Sequence, residues 1–137
     1  MRTMIVQVGP RITFQQFTAE DFDQHGVYLV YRVNREDGRF RLIYIGKSQD
    51  VGGRVTVNHE HYSDWVRWAY GNVDELRFSL VKLPEGGDLD SCEEAMIYAF
   101  QPPVNAKSTE TFNHEDIRII FEGRNVCGLG SIDVRRT

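Results

Sequence analysis

Charged residues are distributed unevenly along this chain of 137 residues. Basic side chains crowd the first half, at Arg32, Arg35, Arg39, Arg41, Lys47 and Arg54. An acidic block that contains no Lys or Arg follows later, at Glu85, Asp88, Asp90, Glu93 and Glu94. A basic face beside an acidic, metal-attracting spot would suit a nuclease, but charge alone favours the simpler interpretation of two solvated surfaces. The formal net charge of -4 argues against a protein that coats nucleic acid by electrostatics alone.

The length and the 41% hydrophobic content predict a single domain over residues 1–137. No apolar run approaches the roughly 18 to 20 residues of a membrane span, and residues 1–8 lack the features of a secretory signal. Cys92 and Cys127 lie outside any CxxC pair, so they cannot by themselves build a disulfide framework or a four-ligand zinc site. We therefore expect reduced thiols, a cytoplasmic location and no membrane association.

Two segments near the middle of the chain predict a β-hairpin. The segment Gly26–Val33 (GVYLVYRV) is rich in β-branched and aromatic residues, as strands are. A polar loop that contains Gly38 separates it from residues 40–46 (FRLIYIG), which alternate well enough to pair with the first strand in antiparallel fashion.

Helices and further strands are predicted after this hairpin. Ser48 or Asp50 can cap a helix whose first turn is Val51–Arg54, and a second helix is expected over residues 63–70. Residues 75–83 alternate like a third strand.

The later part of the chain predicts one more helix and a weaker strand. Asp90 or Ser91 can cap a helix over residues 92–100, which ends where Pro102 forbids its continuation. Residues 117–123 are compatible with a fourth strand. The expected fold class is therefore α+β, with a small antiparallel sheet of three or four strands flanked by helices.

Several short motifs follow one another along these elements. They are GVY on the first strand, YIGKSQD on the second, an arginine eight residues after Gly46, a glutamate early in a later helix, and PPVN after that helix. Each motif alone is weak, but their joint order and spacing resemble the core of the GIY-YIG nuclease family. The resemblance covers residues 26–105, which leaves residues 106–137 as a C-terminal extension. It implies a GIY-YIG-like fold and a nuclease.

The resemblance assigns roles to individual positions. Tyr28 matches the tyrosine that ends the first motif, Tyr44 the tyrosine that opens the second, and Arg54 the helix arginine. Glu93 is the preferred match for the metal-binding glutamate, because Asn105 then follows twelve residues later as in family members that end this helix with Pro-x-x-Asn. Glu94 is the alternative.

The chemistry of phosphodiester hydrolysis needs these residue types. A lone carboxylate such as Glu93 can hold one Mg²⁺ or Mn²⁺ that keeps most of its waters and engages a substrate phosphate. Arg54 is always charged and can donate a fork of hydrogen bonds to phosphate. Tyr28 is the general base that the resemblance implies, although free tyrosine titrates near pH ~10, so its proton must be drawn away by Lys47, Arg54 or a metal-bound hydroxide. Tyr44 would position the water, and Asn105 would brace the site.

One position departs from the pattern. Several branches of the family have a histidine four residues beyond the helix arginine, where this chain has Asn58, and His59 could replace it if the helix is shifted. The HEH string with His61 also invites a zinc interpretation, but two histidines and one carboxylate form an incomplete set.

Two functions remain open from the sequence. The leading hypothesis is a metal-dependent endonuclease acting on DNA, and the alternative is a catalytically inactive nucleic-acid- or protein-binding module that keeps the scaffold. The paired glycines Gly52 and Gly53, unusual in a helix, motivate the alternative. The extra segments are too short for a separate DNA-binding domain, so specificity is expected from the basic hairpin, a homodimer or a partner protein.

Overall fold

The computed structural model describes residues 1–20 and 24–137. These residues form six strands, four α-helices and one short 3₁₀ turn. The strands are β1 (Arg2–Val8), β2 (Gly26–Val33), β3 (Phe40–Ser48), β4 (Leu76–Lys82), β5 (Ile117–Glu122) and β6 (Ser131–Val134). The helices are α1 (Phe14–Ala19), α2 (Val51–Arg54), α3 (Tyr62–Trp68) and α4 (Leu89–Phe100), and the 3₁₀ turn is Val73–Glu75.

The six strands form one mixed sheet, in the order β3-β2-β4-β1-β5-β6, which curls into a half-barrel. Strands β1 and β5 pair in parallel, whereas the other neighbouring pairs are antiparallel. The predicted small antiparallel sheet of three or four strands is therefore wrong. The parallel pair joins Arg2 to Ile117 across more than a hundred residues of chain, so no local pattern could reveal it.

The predicted hairpin is confirmed as β2 and β3. Tyr28 pairs with Gly46 and Val30 with Tyr44, and the register shifts by one residue beyond Val30. Because side chains alternate between the two faces of a strand, Tyr28 and Val30 share one face. Tyr44 belongs to the same buried cluster as both of them.

Two hydrophobic clusters cover the two faces of the sheet. Helix α4 contributes Ala95 and Met96 to the cluster that contains Val27 and Leu29 of β2. On the opposite face, Trp65 of α3 packs in the cluster of Tyr28, Tyr44 and Phe78, together with residues of α1 and α2. Strand β2 is therefore buried on both sides, which explains its nearly continuous run of apolar residues.

The helices that carry the predicted site residues begin close to the expected positions. Helix α2 is a single turn of four residues, and its N-cap is Asp50, whose side chain accepts a hydrogen bond from the amide of Gly53. Helix α4 begins earlier than predicted, because Asp88, and neither Asp90 nor Ser91, is its N-cap. It ends at Phe100, before Pro102, as expected.

The C-terminal residues complete the sheet. The predicted fourth strand is confirmed as β5, which packs beside β1 and continues into the antiparallel β6. Within residues 1–20 and 24–137, no helix combines the length and the apolar character that crossing a membrane requires.

Candidate functional site

The aromatic ring of Tyr28 lies over Gly46 on the neighbouring strand. A Cβ atom at residue 46 would lie 2.3 Å from Cζ and 2.4 Å from the hydroxyl oxygen of Tyr28, far inside van der Waals contact. Only a residue without a side chain fits there, so the glycine of the YIG motif makes room for the tyrosine of the GVY motif. Tyr28 itself is 1% exposed.

The hydroxyl of Tyr28 is hydrogen-bonded to His59. The distance between the Tyr28 oxygen and Nε2 of His59 is 2.8 Å, and the amide of His61 donates to the other ring nitrogen, Nδ1, at 3.0 Å. Burial, aided by the charge of Arg54, lowers the pKa of His59 to about 4, so the ring is neutral at pH 7. Because Nδ1 accepts a hydrogen bond, the single ring proton lies on Nε2 and is donated to Tyr28.

Tyr44 lies beside Tyr28, with the two ring centroids 6.2 Å apart. Burial raises the pKa of both tyrosines, but that of Tyr44 only to about 12 whereas that of Tyr28 rises further. Tyr44 is therefore the more readily ionised tyrosine.

Arg54 lies close to both tyrosines and to His59. Its positive charge lowers the pKa of Tyr28, of Tyr44 and of His59, although burial has the larger effect on each. The guanidinium donates to the carboxylate of Glu60 at 2.5 Å. That carboxylate therefore holds the arginine in the absence of a substrate phosphate.

Glu93 approaches the tyrosine pair from α4. Its negative charge contributes to the raised pKa of both Tyr28 and Tyr44. The Glu93 side chain is 15% exposed, and Nζ of Lys47 lies 3.8 Å from its carboxylate. Burial raises the pKa of Glu93 to about 7 against the opposing charge of Lys47.

Glu94, the alternative to Glu93, is engaged elsewhere. Its carboxylate is paired with the imidazole of His114 and accepts a hydrogen bond from the hydroxyl of Ser108 at 3.2 Å. These contacts tie the segment after α4 to the helix. Of the two glutamates, Glu93 is the one whose charge acts on both tyrosines.

A single divalent cation fits the chemistry of Glu93. In the described part of the chain, no group of three or more His, Cys, Asp and Glu side chains could enclose a metal. Mg²⁺ needs no such cage, because it keeps several waters and binds through one or two carboxylates and substrate phosphates. Burial is the main cause of the raised pKa of Glu93, and a bound cation would offset that cost of ionising the carboxylate.

The HEH string does not form a zinc site. His59 bonds Tyr28 through Nε2 and the amide of His61 through Nδ1, and Glu60 pairs with Arg54. Nδ1 of His61 lies 3.1 Å from the carboxylate of Asp64. These three neighbouring side chains are thus directed to three different partners.

Asn105 secures the edge of the sheet beside Tyr44. Its side-chain oxygen accepts from the amide of Ile45 at 2.9 Å, and its side-chain nitrogen donates to the carbonyl of Ile45 at 2.8 Å. Strand β3 is an edge strand, so these backbone groups have no neighbouring strand to bond. Asn105 replaces that strand and thereby holds the backbone next to Tyr44.

Two residues of the site were missed by the sequence analysis. Glu60 was considered only as part of a zinc string, and its position six residues after Arg54 carries no periodic signal. Trp65 is fully buried with its ring 4.4 Å from that of His59, between centroids, and so supports the imidazole from α3. An apolar residue on a short helix predicts core packing, which gives no reason to single it out.

The structure thus brings together the site residues Tyr28, Tyr44, Arg54, His59 and Glu93. Lys47 lies beside Glu93, and Asn105 is bonded to the free edge of β3 at Ile45. Comparison of the chain with protein-family models, with curated proteins and with solved structures finds no match to any of them.

Proposed function

We propose that this protein is a cytoplasmic, metal-dependent endonuclease of the GIY-YIG type that hydrolyses phosphodiester bonds in DNA. One observation carries the proposal: the buried pair Tyr28 and Tyr44, of which Tyr28 is hydrogen-bonded to His59, lies within the electrostatic reach of both Arg54 and Glu93. An ionisable hydroxyl, a guanidinium and a carboxylate can accept a proton from water, offset phosphate charge and hold a divalent cation.

The relative pKa values favour Tyr44 as the proton acceptor. The sequence favours Tyr28 as the general base, but the oxygen of Tyr28 already accepts the proton of His59, and the pKa of Tyr28 is raised further than that of Tyr44. The charge of Arg54 would stabilise an ionised Tyr44 whose own hydroxyl proton has passed to bulk solvent. That phenolate would then take a proton from the attacking water.

Arg54 would offset the charge that builds up on the non-bridging phosphate oxygens, once the phosphate displaces the carboxylate of Glu60. Glu93 would hold the divalent cation, with Lys47 beside it. When bound, Mg²⁺ or Mn²⁺ supplies Lewis-acid stabilisation of phosphate and leaving-group oxygens. Asn105 keeps the Tyr44 backbone in place through its two bonds to Ile45.

The test is a cleavage assay. The purified protein is incubated with plasmid, single-stranded and branched DNA, with Mg²⁺, with Mn²⁺ and with a chelator. We expect metal-dependent cleavage that is lost in Glu93→Ala and in Arg54→Ala. Arg118→Ala is the matched control, because Arg118 lies on β5 in an exposed pair with Asp133. Cleavage that survives both site substitutions would contradict the proposal.

The ion pair of Arg54 with Glu60 favours one alternative, an inactive module that binds nucleic acid or protein on the same scaffold. An arginine that stays paired with a carboxylate cannot stabilise the negative charge of a phosphate in the transition state. In that case DNA would bind without cleavage under either metal, and Glu93→Ala would leave the affinity unchanged.

A further inference from the structure

A basic groove lies at the far end of the β2–β3 hairpin. Its volume is about 700 Å³, and its walls carry four arginines and a single acidic residue, Asp37, on a chain whose net charge is -4. The arginines are Arg11, Arg32, Arg39 and Arg41. Such local concentration of positive charge on an acidic protein predicts a polyanionic ligand.

Aromatic rings hold three of these arginines. The guanidinium of Arg11 lies 4.0 Å from the ring centroid of Phe40, that of Arg32 lies 5.2 Å from Tyr70, and that of Arg41 lies 5.0 Å from Trp68. A guanidinium whose flat face rests on a ring keeps its N–H donors around the edge. The arginines are thus oriented by the protein without being neutralised.

No carboxylate pairs with Arg11, Arg32 or Arg41 among residues 1–20 and 24–137. Arg32 also has a buried Nε atom without an acceptor in the same part of the chain. Buried donors are normally satisfied, so an unsatisfied one in a groove wall points to an acceptor that arrives with a ligand.

Two of the groove arginines face each other across the hairpin. Arg32 lies four residues after Tyr28 on β2, and Arg41 pairs with it on β3. Val30, which lies between Arg32 and Tyr28 on the same face of β2, is fully buried, and neither Tyr28 nor Tyr44 lines the groove.

Two of the rings are presented to solvent. Tyr70 is 82% exposed and Phe40 is 40% exposed. Tyr70 follows the C-cap of α3 and ends the helix in a left-handed conformation, with φ of 54°.

We propose that this groove, with the exposed ring of Tyr70 beside it, binds single-stranded nucleic acid. The arginine edges would hold the phosphates, and the exposed rings of Phe40, within the groove, and of Tyr70, which lies outside it against Arg32, would stack on unpaired bases. A duplex hides the faces of its bases within the stack, so only an unpaired strand can use both features. The inference rests on the proposed nuclease function, to which it adds the substrate class.

Binding is measured without catalysis. Fluorescence anisotropy of labelled oligo(dT) of 20 nucleotides is recorded with the full-length Glu93→Gln protein in chelator, against a duplex of equal length. We expect the single strand to bind more tightly than the duplex. Replacement of both Arg32 and Arg41 by Ala should weaken binding at least tenfold and reduce the salt slope by about 1.4, since each single-strand phosphate contact contributes about 0.7.

Two further variants keep the test decisive. Arg118→Ala changes the same residue type on β5, away from the groove, and should bind like the parent. Tyr70→Ala removes a ring that is largely exposed and cannot disturb the core, so it tests the groove even if the double arginine variant fails to fold. It should weaken binding of oligo(dT) and leave binding of an abasic sugar–phosphate oligomer unchanged.

The groove assignment is overturned if the Arg32, Arg41 and Tyr70 variants that fold bind oligo(dT) like the parent. Duplex binding as tight as single-strand binding would also overturn it. Because no step of this assay requires cleavage, a protein that binds in the groove but cuts no DNA would support the present inference and contradict the nuclease proposal.

Discussion

Gly46 lies directly across the hairpin from Tyr28, and the tyrosine ring fills the space that a side chain at residue 46 would need. The two motifs that suggest the family from sequence are therefore parts of one packing arrangement. The glycine carries no chemistry of its own. It sets where the hydroxyl of Tyr28 lies, and through that hydroxyl it sets the hydrogen bond to His59.

We expect Gly46→Ala to destabilise the protein by about 1–3 kcal/mol, because the added methyl group must displace the ring. In a Tyr28→Ala background the same substitution should cost much less. Denaturant unfolding of the four proteins in this cycle measures the coupling. Gly130→Ala is the control, because its Cβ would meet nothing closer than 3.8 Å. A cost for Gly46→Ala no larger than that of the control would refute the packing argument.

Phenylalanine substitutions should separate the two tyrosines. Tyr28→Phe leaves the buried Nε2 proton of His59 without an acceptor, which costs about 1–3 kcal/mol of unfolding free energy. Tyr44→Phe preserves that bond, and water can replace the hydroxyl because Tyr44, at 8% exposed, is nearer to solvent. Chemical denaturation should therefore rank Tyr28→Phe as the less stable variant, while both lose cleavage. Equal stability of the two variants would argue against the hydrogen bond that His59 donates to Tyr28.

The carboxyl of Glu93 should make stability depend on pH. Its pKa rises from about 4.5 in the unfolded chain to about 7 in the folded protein, chiefly through burial. A raised carboxyl pKa favours the folded state at low pH, and that contribution is lost as pH increases from about 4.5 through about 7. In chelator, Glu93→Gln should thus be more stable than the parent by about 3 kcal/mol at pH 8 and equally stable at pH 4.

The same unfolding measurements with added Mg²⁺ test whether Glu93 binds a metal. Added Mg²⁺ should raise the stability of the parent at pH 8 and leave that of Glu93→Gln unchanged, since only the parent offers the carboxylate. A parallel set of unfolding curves at pH 4, 6 and 8 reports both effects. If the difference between parent and variant is the same at all three pH values, Glu93 is not a sequestered carboxylate.

Glu60→Gln should release Arg54 for substrate. The Gln side chain keeps the size but removes the charge that competes with phosphate, so we expect KM for DNA to fall severalfold while kcat is maintained. Steady-state cleavage kinetics test this. Asp64→Asn serves as control, because Asp64 contacts His61 and Arg67 and makes no ion pair with Arg54. An unchanged or higher KM in Glu60→Gln would show that Glu60 does not compete with the phosphate.

Local sequence patterns were sufficient to predict the hairpin and the helices that carry the site residues. The alternation and composition of Gly26–Val33 and of the following apolar run reflect burial of β2 and β3, and residue order placed Arg54 on the turn of α2. The start of α4 was missed by a few residues because Asp88, Asp90 and Ser91 are all residue types that cap helices. Only the hydrogen bonds of the folded chain identify Asp88 as the N-cap. Strand β6 was missed because it has only four residues, and β1 because its partners β4 and β5 lie far along the chain.

The sequence by itself determined which residue types are available for phosphate chemistry and in what order they occur, because strand alternation and helix capping act over a few residues. Only the tertiary structure decided the mixed six-stranded sheet, the partners of His59 and Glu94, and the pairing of Arg54 with Glu60. These relationships join residues from different elements. They depend on how the sheet curls and how the helices pack on it, and neither leaves a local signature in the chain.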